Sequence, residues 1–287
     1  FKADELASAT APKADYQKQT TGNADSQLEM LRKLQLDNDA HLQIADACRQ
    51  RGIEFMSTAF DVESLSFLVR DVGIRRVKIP SGEVTNAQLL LAAGRSGLPL
   101  LLSTGMATMQ EIEGALGVVA FGLAGKEMPP SASAFRRAFG DASARSALSS
   151  VVTLLQCTTA YPTPPADVNL RGMDGLAETF DLPVGFSDHS EGTAVAIAAV
   201  ARGACVVEKH FTLDRGLAGP DHAASIVPEE LCRMITDIRT VEAALGTAGV
   251  KALGRDEVAA GRLLAHGLDH VGGDGGRQQA QLGLGEA

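Results

Sequence analysis

Short apolar runs alternate along this chain with longer stretches of helical period. The runs are GIEFMSTAF (52–60), RRVKIPSGE (75–83), LPLLLSTGM (98–106), SVVTLLQCTT (150–159), LPVGFSDHS (182–190) and GACVVEKHFTL (203–213). Each is apolar in its first half and turns polar at its C-terminal end. Continuous apolarity of this kind predicts parallel strands covered on both faces, not half-exposed strands of alternating character. The stretches between them carry helix-start signals. Ser26 with Glu29 and Thr108 with Glu111 have capping-box spacing, and Asp61 is placed to cap a helix with Leu65, Leu68, Val69 and Val72 on one face. Pro228, Glu229 and Glu230 open a helix whose stripe runs Leu231, Ile235, Ile238, Leu245, with Gly246 as its stop.

Six strand-then-helix units in succession predict an α/β fold. A doubly wound open sheet and a (β/α)8 barrel both have this rhythm. A doubly wound sheet often carries a glycine-rich fingerprint at one switch point, and neither G-x-G-x-x-G nor a P-loop occurs here. Polar residues instead gather at the end of nearly every run, the pattern of a TIM barrel with its site on the C-terminal face. The expectation is therefore a TIM (β/α)8-type barrel with six of its strands visible. Residues 125–149, rich in Pro, Ser and Ala, are expected as a surface excursion around one short helix. The barrel is expected over 1–247. Residues 248–287, rich in glycine, read as a tail with no core of its own.

Composition narrows the function classes. A formal net charge of −9 argues against a nucleic-acid grip, which needs clustered Lys and Arg. No apolar run reaches the ~20 residues of a membrane span, and no signal peptide opens the chain, so a cytoplasmic protein is expected. Cys48, Cys157, Cys205 and Cys232 lack CxxC spacing and are expected as reduced, buried thiols.

On a barrel the strand ends share one cup, so Lys78, Ser81 and Glu83 would meet Ser103 and Thr104. Thr158, Thr159, Tyr161, Ser187, Asp188, His189, Glu208, Lys209 and His210 would join them. Lysine charge, hydroxyls and imidazoles together suit a phosphorylated or carboxylated substrate beside a divalent metal. Each group also has a plainer reading. Lys78 alone fits a snorkelling lysine or an aldolase Schiff base, Ser103 and Thr104 fit a turn, and Glu208 and Lys209 fit a solvated pair. Repetition favours one shared site, since the plainer reading needs a separate cause at every strand.

APKADYQKQTTGNADSQLEMLRKL, STAFDVES, VKIPSGE, LLLSTGMAT, CTTAYPTPPADVNLR, GFSDHSEG and EKHFTLDRGLAGPDHAAS, in this order, resemble the sialic acid synthase family, legionaminate-type synthases included. The resemblance covers about residues 1–247. It implies condensation of phosphoenolpyruvate with an N-acetylated hexosamine such as N-acetylmannosamine, giving a nine-carbon 2-keto sugar acid and phosphate. A diacetylated dideoxy sugar, the legionaminate precursor, is the alternative substrate. A non-catalytic barrel in surface polysaccharide assembly is the alternative from another class.

By resemblance His189 and His210 hold a divalent manganese or magnesium ion. Lys78, Ser81, Ser103 and Ser187 hold the phosphate and carboxylate, with Thr159 where some members use asparagine. Asn23, Glu83, Tyr161 and Asp221 line the sugar pocket. Lys78, Glu83, His189 and His210 are the implied catalytic residues. The resemblance further implies a homodimer, two barrel strands preceding position 1, and a C-terminal antifreeze-like domain where this chain has its glycine-rich tail.

Overall fold

A computed structural model describes residues 1–22, 25–125 and 129–246. Five of the six predicted runs form strands: β1 (Val77–Ile79), β2 (Leu100–Ser103), β3 (Val152–Gln156), β4 (Val184–Asp188) and β5 (Val207–Lys209). They lie in sequence order in one all-parallel sheet. Each strand is followed by at least one helix, as a parallel sheet requires: Ala87–Ser96 after β1, Met109–Leu123 after β2, Gly172–Phe180 after β3, Ala194–Ala201 after β4 and Pro228–Leu245 after β5. The sheet curls into a half-barrel, so the described residues contain five strands where the full (β/α)8 expectation has eight. The tail 248–287 lies outside the described residues.

Register explains why the runs are continuously apolar. Ile79, Leu102, Leu154 and Val184 stand side by side across four strands, and all belong to the main core against the helix layer. One residue out of phase, Leu101 and Leu155 are also buried but point to the concave face. The helix Met109–Leu123 is apolar nearly all round and buried from Ala115 to Gly122, because it is enclosed between neighbours on several sides.

The predicted caps form. Ser26, Asp61 and Thr108 accept from the backbone N–H of Glu29, Ser64 and Glu111, and the Glu29 and Glu111 carboxylates return the bond to their caps.

Four expectations change. GIEFMSTAF is not a strand: it touches β1 only through a bridge between Thr58 and Lys78, and Ile53 and Met56 are exposed. Among the described residues it has no ladder on its other side, and although Ala59 is buried and Phe55 packs on the core, no second strand holds the run in register. Residues 125–149 hold not one short helix but two, Ala132–Gly140 and Ala142–Val151. Ser131 and Asp141 cap them, and Phe135 packs edge-on against Phe121. On the last helix the inward stripe is the buried Met234 with the half-buried Leu231 and Ile238, while Ile235 and Leu245 are exposed. That helix meets the body on one side only, and the 231–234–238 spacing fits it equally well. Of the four free cysteines only Cys157 is buried, and Cys205 and Cys232 are exposed. Among the described residues no helix is long and apolar enough to cross a membrane.

Gly185 tests the sheet. A Cβ there would lie 2.7 Å from both the Val206 carbonyl oxygen and Leu155 Cδ2. Gly185→Ala is expected to destabilise the chain by about 1–3 kcal/mol through overpacking, read as a lower urea midpoint with unchanged slope. A wild-type midpoint would contradict the close approach of β4 and β5.

Candidate active site at the strand ends

Alternation along each strand sorts its residues between two faces. Lys78 pairs in register with Leu101, Ser103 with Leu155, Leu155 with Gly185, and Ser187 with Glu208, so Lys78, Ser103, Ser187 and Glu208 all point into the concave cup. Parallel strands end together, and the polar halves of the runs therefore meet.

Lys78 is buried, with Nζ 3.5 Å from Glu208 Oε2. Ser187 Oγ donates to Glu208 Oε1 at 2.6 Å. Glu208 thus joins β1 to β4 across the cup. Next to it His189 Nδ1 lies 2.7 Å from the Thr158 carbonyl oxygen. A carbonyl only accepts, so Nδ1 carries the proton and Nε2 carries the lone pair. Burial is the largest cause holding His189 below the usual imidazole range, which favours the neutral ring. Ser187 Oγ is 3.3 Å from Nε2, but its single proton is committed to Glu208. The Nε2 lone pair therefore faces the cup without a protein donor.

His210 follows β5 at the position matching His189 after β4. The two rings lie 5.5 Å apart between centroids at 73°. Tyr161 covers both, 4.3 Å from the His189 ring and 5.4 Å from that of His210, and Tyr16 extends the aromatic wall 5.5 Å beyond Tyr161. Burial raises the Tyr161 hydroxyl well above the usual phenol range, so it stays protonated. Asp221 approaches His210, Oδ2 to Nδ1 at 4.0 Å, and its buried Oδ1 lacks a partner.

Beside the imidazoles is a cradle of small polar groups. A Cβ on Gly105 would lie 2.8 Å from Thr159 Oγ1, 2.9 Å from Cys157 Sγ and 3.4 Å from Ser81 Oγ, so those groups converge on a backbone that only glycine leaves open. Ser103 Oγ is buried without a hydrogen-bond partner. A buried hydroxyl without a partner carries a desolvation cost that a bound oxyanion would remove. Thr104 is structural: its N–H and Oγ1 both donate to the Leu155 carbonyl.

Of the residues singled out in the sequence, Lys78, Ser81, Ser103, Thr159, Tyr161, Ser187, His189, His210 and Asp221 lie around this cup. Glu83 turns into its own short helical turn, where Oε2 accepts from Asn86 at 2.7 Å. Asn23 lies outside the described residues. Glu208 and Lys209 do not form a solvated pair. They lie on opposite faces of β5, Glu208 with Lys78 and Ser187, Lys209 with Asp188. Strand alternation was the available signal for this. Tyr16 sits in the helix Asp15–Thr21, ahead of every strand in the chain, so the strand-end pattern does not single it out although a family-like motif surrounds it. Among the described residues no group of three or more His, Cys, Asp and Glu side chains is arranged to hold a metal ion.

The sequence matches the NeuB family over residues 1–250. It is 42% identical over 251 residues to an N,N'-diacetyllegionaminic acid synthase of Legionella pneumophila, covering 88% of this chain and 64% of that protein. It is also 42% identical over 257 residues to the N,N'-diacetyllegionaminic acid synthase of Campylobacter jejuni, covering 90% of this chain and 70% of that one. The crystal structure of the N-acetylneuraminic acid (sialic acid) synthetase of Leptospira borgpetersenii in complex with citrate superposes with a TM-score of 0.68 at 27% identity. That superposition covers 92% of this chain and 83% of the other. The chain spans a little under two thirds of the Legionella relative's length.

Proposed function

Because this chain belongs to the NeuB family, we propose that its cup joins phosphoenolpyruvate to the open-chain aldehyde of an N-acetylated amino sugar, giving a 2-keto sugar acid and phosphate. The observation that carries the reading is the convergence of Lys78, Ser187 and Glu208 with the His189–His210 pair beside the open Gly105 cradle.

Lys78 supplies the positive charge for the phosphate or carboxylate. Ser81, Ser103, Thr159 and Ser187 supply hydroxyl donors, and Ser103 arrives with its hydroxyl uncommitted. Glu208 holds Lys78 and Ser187 on either side of the substrate path until the anion arrives. His189 and His210 would hold a divalent ion: the Thr158 carbonyl takes the Nδ1 proton of His189 and leaves Nε2 as the ligating atom, and the His210 ring stands 5.5 Å away. Of manganese and magnesium, manganese suits two nitrogen ligands better, since magnesium is a hard, oxygen-seeking ion. When bound, the ion supplies Lewis-acid polarisation of the sugar aldehyde. The C3 carbon of phosphoenolpyruvate then forms the new bond to the aldehyde carbon. Water adds at C2, and the tetrahedral intermediate expels phosphate by C–O cleavage. Tyr161, packed over both imidazoles, shields that side of the site from bulk water.

Two sugars are proposed as substrates, N-acetylmannosamine and the diacetylated dideoxy precursor of legionaminic acid. The two relatives at 42% identity support the second. The test is phosphate release from phosphoenolpyruvate with each sugar in turn, with manganese and then with EDTA. Release that requires a sugar and stops with EDTA is expected. Binding of both ligands without phosphate release from either sugar would leave only a non-catalytic barrel.

A further inference from the structure

The polar groups on the convex side of β4 and β5 have no part in the chemistry above, yet their side chains are as deeply buried as Lys78, Ser103 and Ser187 in the cup. Asp188 and Lys209 stand opposite each other in register, and their side chains are 0% and 4% exposed. Lys209 Nζ donates to Asp188 Oδ2 at 2.8 Å and to the Ser190 carbonyl oxygen at 2.6 Å. Asp188 Oδ1 accepts from the Ser190 N–H at 2.9 Å and from Ser190 Oγ at 2.6 Å. Ser190 is itself buried. The residues before and after His189 are therefore both tied to Lys209, and Lys209 is the residue before His210.

A buried ion pair is weak evidence for stability. Desolvation offsets most of its attraction, and replacing the whole pair with neutral side chains of similar volume is often tolerated. Geometry is what this pair controls. His189 and His210 leave their strands one residue beyond the paired Asp188 and Lys209, pointing to the opposite face. Any rotation of the His189 backbone must break bonds on both sides of it.

We propose that Asp188, Lys209 and Ser190 form a cross-strand clamp that fixes the mutual orientation of the two imidazoles. Asp188 and Lys209 are then positioning residues for a metal they do not touch. The inference rests on the reading of His189 and His210 as the metal pair. Partners that orient ligand histidines from behind typically change metal affinity by about 10- to 100-fold when replaced.

The experiment uses the full 287-residue chain carrying Asp188→Asn together with Lys209→Met, which removes the lysine link without leaving a lone buried charge. Two readouts are taken from protein whose thermal melt shows that it is folded. The first is affinity for manganese alone, by paramagnetic resonance of the free ion. The second is the His189 tautomer in metal-free protein, from long-range proton–nitrogen spectra. The clamp requires manganese binding weaker by about 10- to 100-fold in the double variant. It also requires a single Nδ1–H form in the wild type that becomes mixed in the variant. A folded double variant that binds manganese within about two-fold of wild type, or keeps the single tautomer, overturns the clamp. Failure of the wild-type chain to bind manganese removes the metal reading instead, and the tautomer spectra then decide the clamp alone. Should the double variant not fold, Ser190→Ala removes the hydroxyl bond to Asp188 without exposing a charge, and the same readouts apply in the same direction.

Discussion

Replacing His189 by alanine is expected to lower phosphate release by about three orders of magnitude in a chain that still folds. The size follows from the several kcal/mol that Lewis-acid polarisation contributes at an aldehyde, with each tenfold in rate worth about 1.4 kcal/mol. The fold should survive because the ring makes one hydrogen bond to the protein backbone, to Thr158, and otherwise packs on Tyr161 and His210. Manganese titration should show binding lost together with rate, while the melting curve moves little. His210→Ala should behave alike. If either variant keeps wild-type turnover in metal-depleted buffer, the imidazole pair is not where the ion acts.

Lys78→Met is the second large effect expected. It removes the buried charge at the end of β1 and should reduce kcat/KM for phosphoenolpyruvate by about 10²–10³-fold, the usual result of deleting one preorganised charge-stabilising group. The variant also leaves Glu208 without its cationic partner. Because the Glu208 side chain is about one third exposed (36%), water can solvate it, and the loss of stability should be small beside the loss of rate. A companion measurement separates this role from covalent chemistry. Borohydride added to wild-type protein with either substrate should trap no adduct at Lys78, because charge stabilisation needs no imine. A reduced adduct on that lysine would replace the condensation with an aldolase mechanism.

Much of this is legible in the sequence. Ser26, Asp61 and Thr108 act as caps because a side-chain oxygen three residues before an orphan N–H is a local matter, settled within one turn of chain. Five of the runs formed strands because continuous apolarity suits a sheet covered on both faces. GIEFMSTAF has a similar composition and failed, since a strand exists only with a partner along its length. Of the two helices at 132–140 and 142–151 only one was expected, because their capping residues, Ser131 and Asp141, look the same in a loop.

The sequence by itself determined the order of β-then-α units, the helix starts, and the set of chemical groups that strand ends deliver to one side of a parallel sheet. Tertiary structure alone decided which of those groups meet. Glu208 and Lys209 are neighbours in the chain and identical in promise, yet strand alternation turns one to Lys78 and Ser187 and the other to Asp188. The lone pair of His189 is aimed by a carbonyl 31 residues away, and Tyr16 reaches Tyr161 from a helix that no strand pattern marks. Local preferences depend on residues within a turn of each other, while a site depends on register and sheet curvature, which arise only when distant segments pack.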